Sequence, residues 1–171
     1  MTGIAKIQKK QVLQKTEQTA VDSTDIQVVC FKLGTEPYGL DIMQIKEIIR
    51  YQKVQLVPKA PFFIDGVINL RGMVIPIIDL RKRFEAPSDI SSRTRIVIAQ
   101  LENRIVGIVV DDVTDIISLS KTHLMPPPGM VKGAEAEYLD AMADIKGELL
   151  FVINLDKMLT AEEKISLIAP V

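Results

Sequence analysis

Three residue types in this sequence could do chemistry, and each is nearly isolated. His123 is the single histidine and Cys30 the single cysteine. A zinc centre gathers several imidazole or thiolate ligands, so a His-based metal cluster is excluded. General-base work by His123 needs a partner within hydrogen-bond reach, and its neighbours are Ser/Thr residues followed by Leu124-Met125-Pro126. Cys30 alternates within an apolar strand pattern, the setting of a small core residue rather than of a nucleophile. Asp111-Asp112, with Asp115 following, form an acid cluster. They lack the Asp-x-Asp-x-Asp-Gly order of a calcium loop, so capping or solvation accounts for them. Neither Gly-x-Gly-x-x-Gly, nor a phosphate loop, nor Gly-x-Ser-x-Gly occurs. The sequence therefore reads as a protein that is not an enzyme and carries no metal or cofactor.

The charge balance narrows the partners. The formal net charge is -1, and nucleic-acid recognition needs a concentrated basic face. The two basic clusters, Lys9-Lys10 and Arg81-Lys82-Arg83, are short and read as solvated surface. Met1 to Gln18 contains no apolar signal-peptide core. The longest apolar stretch, Met73 to Ile78, is too short to span a bilayer and contains Pro76. A lone cysteine fits a reducing cytosol, and 171 residues fit one domain or two small subdomains.

The elements that would position any site are short strands. Residues 1–25 are polar and read as a flexible N-terminal tail. Val29, Phe31 and Leu33 alternate with polar or small residues as a half-buried strand; Gly34 to Pro37 turn the chain, and Tyr38 to Ile42 return as a second strand. Ile42, Ile45, Ile48 and Ile49 recur at spacings of three and four, which predicts a short amphipathic helix capped by Asp41. Pro58 and Pro61 hold an extended connection. Gly66 to Leu80 predicts a hairpin turning at Arg71-Gly72. A second hairpin turns at Glu102-Asn103. Pro126 to Gly129 stop regular structure, Leu149 to Leu155 form a last strand, and Thr160 with Glu163 form a capping box for a closing helix.

The sequence also repeats itself. Laying Asp65 on Asp140 brings Asn69 onto Asp144, Arg71 onto Lys146, Gly72 onto Gly147 and Val74–Leu80 onto Leu149–Leu155. Laying Gly39 on Gly107 brings Ile42, Ile45, Ile48 and Ile49 onto Val110, Val113, Ile116 and Ile117. Polar and glycine positions coincide in one register, which predicts two similar β units. Units of this size remove exposed edges by closing into barrels, and the boundary between two barrels is a favoured binding place. Ile42, Met43, Ile45, Ile48, Ile49 and Tyr51 supply more apolar surface than one small barrel buries, so either all of them are core of the larger fold or some line a partner groove. Arg71, at a hairpin tip, is either solvated or paired with a carboxylate.

These residues resemble the CheW family. The resemblance rests on Phe31-Lys32-Leu33-Gly34, Tyr38-Gly39-Leu40-Asp41-Ile42, Glu47-Ile48 and above all the run from Gly66 to Arg81, GVINLRGMVIPIIDLR. Gly107 to Asp111 and Ile153-Asn154-Leu155-Asp156 complete it. It implies an all-β domain over 26–166, made of two intertwined, five-stranded, Src-homology-3-like barrels around a shared hydrophobic interface, with 167–171 as a C-terminal end. It further implies a cytoplasmic, non-enzymatic adaptor between the cytoplasmic tip of methyl-accepting chemotaxis receptors and the regulatory domain of the histidine kinase CheA. By motif position, Ile42, Ile45, Glu47, Ile48, Arg71 and Ile116 would form the receptor-binding groove, with Glu47 and Arg71 its charged pair. Ile96, Val97 and Gly107 would lie at the kinase contact. The alternatives are a small-ligand or enzymatic barrel protein that uses the groove, and an adaptor of a related non-flagellar pathway.

Overall fold

The computed structural model describes residues 25–127 and 138–167. Residues 1–24 of the expected tail, Pro128 and Gly129 of the proline stop, and 168–171 lie outside the described residues. Ten strands run in order as β1 (Asp25–Leu33), β2 (Glu36–Asp41), β3 (Ile45–Arg50), β4 (Ile64–Leu70), β5 (Met73–Asp79), β6 (Arg95–Leu101), β7 (Arg104–Val110), β8 (Asp112–Ser120), β9 (Leu139–Ile145) and β10 (Glu148–Ile153). Two short helices, α1 (Leu80–Arg83) and α2 (Ala161–Ser166), follow β5 and β10. The strands form two five-stranded sheets with orders β8-β1-β2-β10-β9 and β3-β6-β7-β5-β4. We call them barrels A and B.

The internal repeat is visible in the topology. β1–β5 correspond to β6–β10, and each half gives strands to both barrels. Barrel A takes β1 and β2 from the first half and β8, β9 and β10 from the second; barrel B takes the remainder. The chain changes barrel after β2 and after β7. Each barrel is sealed by a bridge between the segment after its edge strand and the far hairpin. Gln55 and Val67 exchange both backbone bonds at 2.9 Å, and Met125 and Met142 do so at 2.8 Å. No described edge is therefore left long and flat for aggregation.

Turn chemistry accounts for the two matching hairpins. Arg71 and Gly72 both have positive φ, 51° and 83°, and Lys146 and Gly147 match them at 53° and 87°. Two consecutive residues of that kind make the two-residue turn whose twist suits a β-hairpin. The residue two before each pair clamps the turn: Asn69 Oδ1 accepts from Gly72 N–H at 2.9 Å, and Asp144 Oδ1 accepts from Gly147 N–H at 2.8 Å. The expected capping box is present, with Thr160 and Glu163 satisfying each other's backbone donors.

Burial divides into three cores. Ile49, Ile68, Ile75, Ile77, Ile96, Ile98 and Val109 fill barrel B. Val28, Cys30, Leu119, Ala143, Leu150 and Val152 fill barrel A. The largest cluster takes residues from both, among them Phe31, Leu40, Ile42, Ile45, Val97, Val110, Leu139 and Leu155, and is the shared interface.

Two expectations are corrected. The predicted helix over Ile42–Ile49 is only a 3₁₀ turn, Ile42–Gln44, which Asp41 does cap by accepting from Met43 N–H at 2.9 Å. Residues Ile45–Arg50 are strand β3, whose burial alternates, with Ile45, Glu47 and Ile49 inside. A buried glutamate breaks the apolar alternation, so the isoleucines alone imitate a helical period. The Arg81-Lys82-Arg83 cluster is not a solvated surface either. Lys82 is exposed, but Arg81 is 2 % exposed and Arg83 is largely buried. Arg81 donates from Nε and Nη2 to both oxygens of Asp79, at 3.0 and 2.9 Å, and from Nη1 to Asp111 Oδ1 at 2.9 Å. Arg83 pairs with Glu163 of α2 and lies over the rings of Phe63 and Tyr138.

Candidate partner-binding site

Glu47 lies on β3, one edge of barrel B, and Arg71 lies at the tip of the β4–β5 hairpin, at the other edge. The fold brings them together across the seam. Arg71 Nη1 donates to Glu47 Oε1 at 3.2 Å and Nη2 donates to Oε2, a two-pronged contact that holds the guanidinium plane. Glu47 is 5 % exposed while Arg71 is 51 % exposed, so the cation faces solvent and the carboxylate supports it from below. The hydrogen bond to Glu47 pushes the Arg71 pKa above its ordinary value, against a smaller desolvation effect. The equivalent turn residue of barrel A, Lys146, makes no ion pair among the described residues. Asp115, the counterpart of Glu47 in the repeat, has its Oδ1 occupied by the N–H of Ile116 at 2.8 Å. The charged pair is thus a feature of one barrel.

The apolar candidates divide by depth. Ile48 on β3 and Ile116 on β8 correspond in the repeat, and both are half-buried against the shared core. They sit on the strands that follow the two barrel changes, so each borders the interface from its own barrel. Ile42 and Ile45 are each 2 % exposed and belong to the shared core itself. They shape the groove from beneath rather than line it. Of the expected groove residues, Arg71, Ile48 and Ile116 have surface to offer a partner.

The expected kinase-contact residues lie deeper still. Ile96 points into barrel B and Val97 into the shared core, at 0 % and 1 % exposure. Gly107 is buried, and a Cβ there would stand 2.5 Å from Ile77 Cδ1 and 3.0 Å from Ile96 Cγ2. None of the three offers side-chain surface in this structure. The glycine is required by close packing inside the barrel.

A concave apolar surface that the strand pattern did not reveal lies on the outside of barrel B. Val57, Ile64, Val67, Val74, Pro76 and Leu167 enclose about 200 Å³. It joins the β4–β5 hairpin to the chain end of α2, a juxtaposition that spacing in the sequence does not display.

The groups that could do chemistry are engaged otherwise. Burial, with a smaller contribution from the charge of Asp115, pushes the Cys30 thiol up to about 11. His123 is exposed at the end of a 3₁₀ turn, Lys121–His123. Asp111 holds Arg81 and accepts from Gly34 N–H at 2.6 Å, while Asp112 lies 3.8 Å from Arg93. No helix among the described residues is long and apolar enough to cross a membrane.

Comparison with known proteins places this arrangement. The model of the CheW-like domain matches residues 27–163. The chain is 34% identical over 165 residues to a chemotaxis protein CheW of Klebsiella aerogenes, covering 95% of this chain and 93% of that protein. It is 36% identical over 149 residues to its namesake in Treponema pallidum, covering 84% and 88%. The crystal structure of the scaffolding protein TtCheW from Thermoanaerobacter tengcongensis superposes with a TM-score of 0.75 at 30% identity, over 83% of this chain and 92% of that one.

Proposed function

This chain belongs to the CheW-like domain family, and from that premise we propose that it is a non-enzymatic adaptor that couples methyl-accepting chemotaxis receptors to the histidine kinase CheA. The observation that carries the reading is the border of the shared interface. Ile48 and Ile116 are exposed enough to meet a partner and apolar enough to gain from it, and the Arg71 fork stands over Glu47 on the same strand as Ile48. A partner helix with an apolar stripe and an acidic neighbour suits such a surface. The isoleucines would supply contact energy at a desolvated centre, and Arg71 would set register and reject wrong partners.

The receptor tip is therefore assigned to the edge formed by Ile48, Arg71 and Ile116, with Ile42, Ile45 and Glu47 supporting it. The regulatory domain of CheA is assigned to a separate surface, because an adaptor must hold both partners at once. The protein would work in the cytoplasm and reach receptor arrays through these partners, without entering the bilayer.

The test is affinity capture with a receptor cytoplasmic fragment and with the CheA regulatory domain, separately and together. Capture of each alone and of both in one complex supports the reading. Saturable binding of a small metabolite, with neither protein captured, would support a ligand-binding barrel instead.

A further inference from the structure

We infer that an ionic node centred on the buried Arg81, Asp79–Arg81–Asp111, helps to fix the angle at which the two barrels meet. The inference goes beyond the adaptor reading and holds whatever binds to the protein.

The shared apolar core makes the barrels associate, but apolar contact is non-directional. Interdigitated packing and directional polar contacts both narrow the orientation, and the node is placed to supply the second. Asp111 is the single residue between β7 of barrel B and β8 of barrel A, where the chain changes barrel. Its backbone N–H donates to Lys32 O at 2.9 Å, and its Oδ2 accepts from Gly34 N–H at 2.6 Å, so it grips β1 and the β1–β2 turn of barrel A. Its Oδ1 accepts from Arg81 Nη1, which belongs to α1 of barrel B. One carboxylate thus joins the two barrels.

Arg81 holds the other half. Its fork onto Asp79 locks the guanidinium plane, and Nη1 also donates to the carbonyl of Asp89 at 2.6 Å, tying the loop after α1 to the same point. Ions kept this far from water cost desolvation, and apolar residues of similar volume often serve stability equally well. What a planar fork adds is direction. The other barrel change, after β2, has no such device among the described residues: Asp41 caps its own 3₁₀ turn there. The node thus acts at one crossing, beside the Arg83–Glu163 and Lys164–Glu102 pairs that tie α2 to barrel B at a distance from it.

The test needs no partner, so its failure is distinct from failure of the adaptor reading. Spin labels are placed at two exposed strand positions, Lys46→Cys on β3 of barrel B and Glu148→Cys on β10 of barrel A, in a Cys30→Ala background. Double electron–electron resonance then reads the inter-barrel distance. Asp111→Asn is the first variant. Its single carbonyl oxygen can serve Gly34 or Arg81 but not both, and its amide then faces a donor. Arg81→Lys is the second; it keeps the charge and loses the fork. The expected result is one narrow distance distribution with the node intact and a widened or split distribution in both variants. The Gly34 amide of Asp111→Asn should exchange roughly ten- to a hundred-fold faster, the range for one lost charge-assisted bond. Amides of Ile77 and Val152, inside the barrels, should keep their protection. An unchanged distance distribution in both variants would overturn the inference. So would loss of protection at Ile77 and Val152 together with Gly34, since the node would then be ordinary fold stability.

Discussion

The guanidinium of Arg71 crosses the seam of barrel B and grips both carboxylate oxygens of Glu47 on the opposite edge strand. A hairpin tip and an edge strand are thereby fixed to each other at the border of the shared interface. The pairing predicts coupling between the two positions. Arg71→Ala and Glu47→Gln should each keep the native circular dichroism spectrum and impair receptor-dependent kinase activation. Together they should do little more than either alone. Arg71→Lys should not restore activity, because an ammonium cannot reproduce the fork. Simple addition of the two single effects in a double-mutant cycle would show the pair to be functionally independent.

Ile48 tests the apolar half of the site. It is half-buried against the shared core, so Ile48→Asp places a charge where solvent is partly excluded. We expect receptor-fragment binding to fall by on the order of a hundred-fold, as at an interface hot spot, with about 1–3 kcal/mol lost from stability. Ile48→Val should change either by less than about 1.5 kcal/mol. Isothermal titration and urea unfolding separate the two effects. Normal receptor binding by a folded Ile48→Asp protein would remove Ile48 from the site.

Gly107 is predicted to act through packing rather than contact. A Cβ there meets Ile77 and Ile96 inside barrel B, so Gly107→Ala should destabilise by about 1–3 kcal/mol. Gly107→Arg should weaken receptor and kinase binding together, in step with lost fold. A stable Gly107→Arg protein that loses only the kinase would instead support a contact at that strand.

Cys30 carries a pH prediction. Its thiol is held up at about 11 in the folded chain against an ordinary 9.0. Because the folded value is the higher, the stability it confers is fully present below pH 9 and is lost as pH rises from 9 to about 11. Wild type should therefore lose more stability than Cys30→Ala across that window in urea titrations. At pH 8 a thiol reagent should label the native protein only as fast as it opens. Rapid labelling of the folded protein at that pH would show an accessible thiolate.

Much of the architecture was legible from residues with a local physical signature. The Arg71-Gly72 and Lys146-Gly147 turns announce themselves through glycine and through the Asn69 and Asp144 clamps, and their match in one register carries the repeat. The Thr160–Glu163 box was equally local. What was illegible depended on distant partners. The family resemblance implied the pairing of Glu47 with Arg71, but nothing local marks Glu47 as buried, and its place on β3 made a strand look helical. Arg81 sits in a basic triplet indistinguishable from solvated surface; only the approach of Asp111 accounts for its burial. Ile96, Val97 and Gly107 carry no mark of depth in a sequence whose strands are nearly all apolar.

As an adaptor, one molecule of this protein bridges two protein partners at once. Size-exclusion chromatography with light scattering on this chain, a receptor cytoplasmic fragment and CheA, paired with autophosphorylation of the same mixture, tests that bridge. We expect a complex containing all three, and kinase activity that responds to receptor only when this protein is present. Ile48→Asp should remove the receptor from the complex while CheA stays bound. Receptor and CheA competing for one surface of this protein, so that only binary complexes form, would contradict it.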